Sequence, residues 1–129
     1  MNFGKYKIAQ QINNKGIYAG IELEAEINLQ PFNIKIEYET SFFEGWQSGT
    51  EWKSAIAFGT QYFLAHIDTP YNHRKGIYVK VIRFQGHEVD TTMALVSIVT
   101  IKALMDALKV SIYKEPFVDT KNFIYCFPF

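Results

Sequence analysis

Apolar and polar positions alternate through the first part of this chain. In residues 5–13, Tyr6, Ile8 and Ile12 share one face and Lys5, Lys7 and Gln11 the other. From Ile17 to Leu29 the odd positions are Ile17, Ala19, Ile21, Leu23, Ala25, Ile27 and Leu29, while Glu22, Glu24 and Glu26 stand at even ones. A period of two over that length predicts strands of a sheet with one buried and one wet face. Asn13-Asn14-Lys15-Gly16 is a turn signal, and Gln30-Pro31 breaks the second strand because proline cannot donate to a ladder. A third strand follows, with Ile34, Ile36 and Tyr38 against Lys35, Glu37 and Glu39.

The period then changes. Trp52, Ala55, Ile56, Gly59, Tyr62, Phe63 and His66 recur at helical spacing, which predicts an amphipathic helix over 51–66 with Thr50 as its cap. Gly59 inside it costs about 1 kcal/mol against alanine and implies close approach of the helix to the sheet. Residues 77–85 form a fourth strand, apolar on both faces through Ile77, Val79 and Val81, then Tyr78, Ile82 and Phe84. After the Gly86 turn, Asp90 or Thr91 caps a helix that is apolar around most of its circumference and runs to about Lys109. Residues 122–127 predict a short last strand. The fold class is α+β: a two-layer sandwich, β-β-β-α-β-α, with both helices on one face of a four-stranded sheet and a short C-terminal strand.

Charge on the wet face suggests a register. A two-residue loop at Asn14-Lys15 sets Lys7 opposite Glu22 and Lys5 opposite Glu24. The third strand then places Glu37 against Glu24 and Glu39 against Glu22, like charges that cost about 0.2–1 kcal/mol each. The two lysines offset them, so the expected order is a meander, with the second strand between the first and the third.

At 129 residues one domain over 1–129 is expected. Hydrophobic residues make up 48% of the chain, enough for a packed core. Thirteen basic residues balance thirteen acidic ones, so a nucleic-acid role requires a local basic patch rather than an overall excess. The single cysteine, Cys126, lies among aromatics and reads as a packed thiol. No secretory signal pattern opens the chain and no apolar run is long enough to span a bilayer, so a cytoplasmic protein with no membrane partner is expected.

One turn carries a resemblance. Gly86-His87-Glu88-Val89-Asp90-Thr91-Thr92 precedes the last helix, with Ala94, Ala103 and Ala107 following. Upstream, Lys15-Gly16-Ile17-Tyr18-Ala19-Gly20 opens the second strand. In this element order the chain resembles domain IV of translation elongation factor G, whose pattern is a strand, a Gly or Ser turn, His-x-Val-Asp-Ser-Ser and an Ala-rich helix. Threonines replace the serine pair at 91–92. The likeness covers residues 15–109, with 110–129 as a C-terminal extension, and its specific part is about a dozen positions. It implies the ribosomal protein S-five domain-2-like fold with a left-handed βαβ crossover, an exception to the usual hand. It also implies that His87 sits at a tip that contacts RNA at the ribosome.

Candidate chemistry follows from the residues. An imidazole on a turn stacks on a base or bonds a phosphate, so His87 and Glu88, with a basic patch from Arg74, Lys75, Lys80 and Arg83, form the expected contact with RNA or the ribosome. The structural alternative is that Asp90 or Thr91 caps the helix while Gly86 and His87 only turn the chain. Phe42, Phe43 and Trp46 are more aromatic surface than a short loop readily buries, and predict a protein interface or packing under the first helix. An exposed last strand predicts a second route to partners, pairing with another copy of the chain. No metal site is expected: His66, Asp68 and His73 stand about 25–30 Å along a strand from His87, Glu88 and Asp90. Glu22, Glu24, Glu37 and Glu39 read as solvated carboxylates. With no phosphate-binding loop and no catalytic motif, no cofactor and no enzymatic activity are expected.

Overall fold

A computed structural model describes residues 1–12, 15–28, 33–43, 50–67, 75–87, 89–119, 121–122 and 124–128. The element order is β1 (Asn2–Ile12), β2 (Lys15–Asn28), β3 (Ile34–Tyr38), α1 (Thr50–His66), β4 (Gly76–Gly86), α2 (Met93–Leu108), β5 (Phe117–Asp119) and β6 (Ile124–Cys126). The protein is thus α+β, with a four-stranded mixed sheet, two helices and a small second sheet.

The strand order is β1-β2-β4-β3, so the expected meander does not form. β4 inserts between β2 and β3, antiparallel to β2 and parallel to β3. The charges explain the choice. Beside β3, Glu22 and Glu24 would have met Glu39 and Glu37; beside β4 they meet Arg83 and Lys80. β4 is also 11 residues long and β3 only five, so β4 satisfies far more of β2's backbone. Because parallel neighbours need a crossover, α1 carries the chain from β3 back to the start of β4.

The β1–β2 register is two residues from the expected one. Lys5 stands opposite Glu22, Lys7 opposite Gly20 and Ile12 opposite Lys15. A slip of two leaves the face assigned to a position unchanged, because the period is two. On β4 a bulge opposite Glu22 and Leu23 adds Ile82 to the ladder and reverses the alternation. Ile77, Val79, Val81 and then Phe84 therefore all reach the core, which accounts for a strand that reads as apolar on both faces.

α2 covers the face formed by the odd positions of β2, and α1 packs on α2 and, through Trp52, against Phe84 of β4. α2 crosses β1 at Gly4, where a Cβ would fall 2.5 Å from the Ala107 nitrogen and 2.6 Å from the Ala107 Cβ. The close approach expected of Gly59 is real, but its neighbour is α2 rather than the sheet: a Cβ there would lie 2.7 Å from the Ser97 carbonyl oxygen. Next to this contact, Ser97 Oγ donates to the Ala55 carbonyl at 2.8 Å. At the edge of the sheet, the Lys5 amide donates to the Asp106 carboxylate at 3.1 Å. That bond, with Lys109 nearby, holds the Asp106 carboxyl below its ordinary pKa.

The last strand does not extend the main sheet. β5 and β6 pair with each other, and the tail packs on α1, where the Tyr62 hydroxyl lies 2.6 Å from the Lys114 carbonyl oxygen and 2.7 Å from that of Pro128. The Phe127 ring meets Phe58 and Tyr62 edge-on, each at 5.7 Å. The edge expected at 122–127 is thus an edge of this hairpin, and the four-stranded sheet ends at β1 and β3.

Candidate RNA-contacting surface

The turn after β4 is built from the backbone outward. The Asp90 and Thr91 amides donate to the His87 carbonyl at 3.1 and 2.9 Å, closing the turn. The Thr91 hydroxyl, buried beneath it, accepts from the His87 amide at 2.6 Å and donates to the Tyr18 carbonyl at 2.6 Å. The Tyr18 amide in turn donates to the Asp90 carbonyl at 3.1 Å. The helix cap is therefore neither Asp90 nor Thr91, as the sequence suggested. Thr92 caps α2, accepting from the Leu95 amide at 3.2 Å, because the Thr91 hydroxyl is already committed to the turn and to β2.

Asp90 has another neighbour. A Cβ on Gly16 would lie 2.7 Å from an Asp90 carboxylate oxygen, so only glycine lets the carboxylate settle against β2. The same carboxylate lies 3.7 Å from His87 Nδ1. The His87 side chain is 60% exposed, so the turn presents its imidazole to solvent on a braced base. Replacing Thr91 with valine keeps the shape and removes both hydroxyl bonds. The expected cost is about 2 kcal/mol, from two backbone groups left without that partner. Hydrogen exchange at the His87 amide checks it, and protection equal to wild type would contradict this account.

The other expected residues disperse. Lys75, 8% exposed, is buried at the opposite end of β4 from His87. Lys80 pairs with Glu39 at 2.8 Å, and the Glu39 bond and charge, with Glu24 adding to the field, raise its pKa. Among the described members of the expected patch, only Arg83 faces the half of the open sheet face nearer His87. Arg74 and Glu88 lie outside the described residues.

The two described aromatics of the set expected at 42–46, Phe42 and Phe43, are largely interior. Phe42 is 5% exposed and packs on Tyr38 with ring centroids 4.9 Å apart, and its carbonyl accepts from the Phe84 amide at 2.6 Å. The half-buried Phe43 stacks on Phe84 at 5.7 Å. The segment after β3 thus continues alongside β4, which buries these rings where a free loop would have exposed them. Trp46 lies outside the described residues.

Sequence reasoning missed two cations. The sequence pattern sets Lys5 and Lys7 against β2 glutamates; in the fold they stand with Arg83 and Gln85 around Gly20 on the open face, with Glu22 the one carboxylate among them. The Lys7 ammonium lies over the Tyr18 ring, 5.2 Å from its centroid. Further along the same face, Glu24, Glu26, Glu37 and Glu39 outnumber Lys35 and Lys80. The sign of the face therefore changes along the strands, and the cationic half adjoins His87, where the Asp90 carboxylate against Gly16 adds one negative charge. A count of charges by distance from the turn, with the correct strand order, would have found it.

Among the described residues, no three metal-ligating side chains gather, and no helix is long and apolar enough to cross a membrane. No protein-family model matches the sequence, and no curated protein matches it. A solved structure of a protein from Thermus thermophilus is similar, with a TM-score of 0.60 and 18% identity over 84% of this chain. This chain spans 15% of the length of that one. The likeness shows the fold: this arrangement of a mixed sheet and two helices occurs as part of a much longer chain.

Proposed function

We propose that this domain is a non-catalytic module that contacts structured RNA, with the ribosome as its natural setting in the cytoplasm. The observation that carries the reading is an exposed imidazole on a rigidly braced turn, next to a sheet half whose charge is cationic. Arginine and lysine supply the electrostatic part of RNA affinity, while a splayed base stacks on an exposed ring. The resemblance of the turn at 86–92 to domain IV of elongation factor G supports the same partner. Zero net charge is compatible with it, because the acidic and basic halves of the open face are separated rather than mixed.

Fluorescence anisotropy with a labelled RNA hairpin at low salt, together with co-sedimentation with ribosomes, tests the proposal. Wild-type protein binds, and His87→Ala weakens binding roughly fivefold or more, as loss of one stacked base would. Absence of any association by the wild type at low salt overturns it.

A protein partner is the second reading, and one observation favours it. A groove of about 400 Å³ between α1 and α2 is lined by Phe58, Met93, Ala94 and Phe127, and Phe58 and Met93 are nearly half exposed. Sedimentation at high protein concentration tests self-association through it.

A further inference from the structure

The open-face hollow at Gly20 has a geometry of its own. Lys5, Glu22 and Arg83 form one row across β1, β2 and β4, and Lys7, Gly20 and Gln85 form the next. Neighbouring strands lie about 4.8 Å apart and the two rows about 6.8 Å apart. The four outer side chains therefore stand at the corners of a patch about 10 Å by 7 Å. Gly20 contributes no side chain at its centre, and a hollow of about 430 Å³ opens there. A Cβ at Gly20 would already touch Lys7 Cγ at 3.3 Å and Gln85 Oε1 at 3.4 Å, so any larger residue fills the floor.

The donors around the hollow suit a phosphate. A guanidinium offers paired N–H groups that match two phosphate oxygens, and ammonium groups add point charges. The Gln85 amide, whose Oε1 faces the floor here, supplies a neutral donor when it turns its Nε2 inward. Lys7 is held at the rim by the Tyr18 ring rather than sweeping solvent. Glu22 works against an anion, but it stands between Lys5 and Arg83, which outweigh it. An apolar ligand would leave three cations desolvated, a large cost. The four glutamates of the acidic half repel a polyanion more than the single Asp90 carboxylate beside His87 does, which leaves the path toward His87 as the favourable one. His87 lies two residues beyond Gln85 and four beyond Arg83, or about 7–13 Å along β4.

We propose that the Gly20 hollow seats a backbone phosphate of the RNA whose neighbouring base meets His87, the strand passing over Tyr18 and Lys7. This rests on the RNA-binding reading above and adds to it a second contact point on a different part of the molecule.

Amide chemical shifts of the full chain, titrated first with inorganic phosphate and then with the RNA hairpin, give the test. Both are expected to move Lys7, Gly20, Arg83 and Gln85, and to leave Glu37 and Lys80 in place. In the anisotropy assay, Arg83→Gln weakens RNA binding severalfold and lowers the log–log salt slope by about one. Glu22→Gln tightens binding by about threefold, a gain that damage to the fold cannot produce. If RNA moves the His87 turn alone and neither variant alters affinity, the seat is overturned and the RNA reading stands. If phosphate moves the hollow but the wild type binds no RNA, the RNA source and the reading above both fall, and a seat for free phosphate is left. No movement with either ligand overturns both.

Discussion

Gly4→Val is expected to lower the unfolding free energy by about 3 kcal/mol, the upper part of the usual range for overpacking. A Cβ at this position collides with the Ala103 carbonyl oxygen and the Ala107 nitrogen, both backbone atoms of α2. A rotamer change cannot relieve a clash with helix backbone, so α2 must lift from β1. The bond from the Lys5 amide to Asp106 then lengthens as well. Valine favours strands, but by at most about 1 kcal/mol, so the collision decides the sign. Urea unfolding followed by tryptophan fluorescence measures the change. A loss below about 1 kcal/mol would mean that α2 passes farther from the sheet than it does here.

Phe84→Ala is expected to cost about 3–5 kcal/mol. The ring is fully buried where three parts of the protein converge: β4, the segment after β3, and α1. It lies 5.7 Å from the Phe43 ring and 6.1 Å from Trp52, so its removal leaves a cavity with aromatic walls that cannot close on it. The same unfolding assay reads the loss. A shift in Trp52 emission in the folded state should accompany it, and an unchanged midpoint would contradict the packing.

The sequence carried the elements better than their neighbours. Alternation in β1 and β2 identified strand and face correctly, because face depends on parity and survives a two-residue slip. Strand order did not follow from local charge. Lys5 does stand opposite a glutamate of β2, but the neighbours on the other side of that strand, Arg83 and Lys80, lie beyond a helix in the sequence. Only the tertiary crossover brings those residues together. The Ile82 bulge is similarly invisible to a period-two reading, yet it turns Phe84 into the core. The sequence leaves Phe42 open between a partner surface and packing under the first helix, and the second holds because the chain keeps pairing with β4 beyond the end of β3. At the site, the His87 turn was legible from its residue types. The cationic hollow was not, since Lys5, Gly20 and Arg83 meet only across three strands.

The place of β2 between β1 and β4 also bears on how the chain is made. As the protein leaves the ribosome, β1 and β2 can pair at once, but all of β3 and α1 must follow before β4 emerges. At roughly 5–20 residues per second, one whole side of β2 stays without a partner for seconds, far longer than a hairpin takes to form. A bare 14-residue edge would ordinarily invite a second nascent hairpin. Glu22, Glu24 and Glu26 oppose that, because an identical strand brings identical charge, whereas β4 arrives with Arg83 and Lys80 opposite Glu22 and Glu24. The acidic stripe keeps like strands away from the nascent chain and, once β4 has arrived, lies alongside its cations.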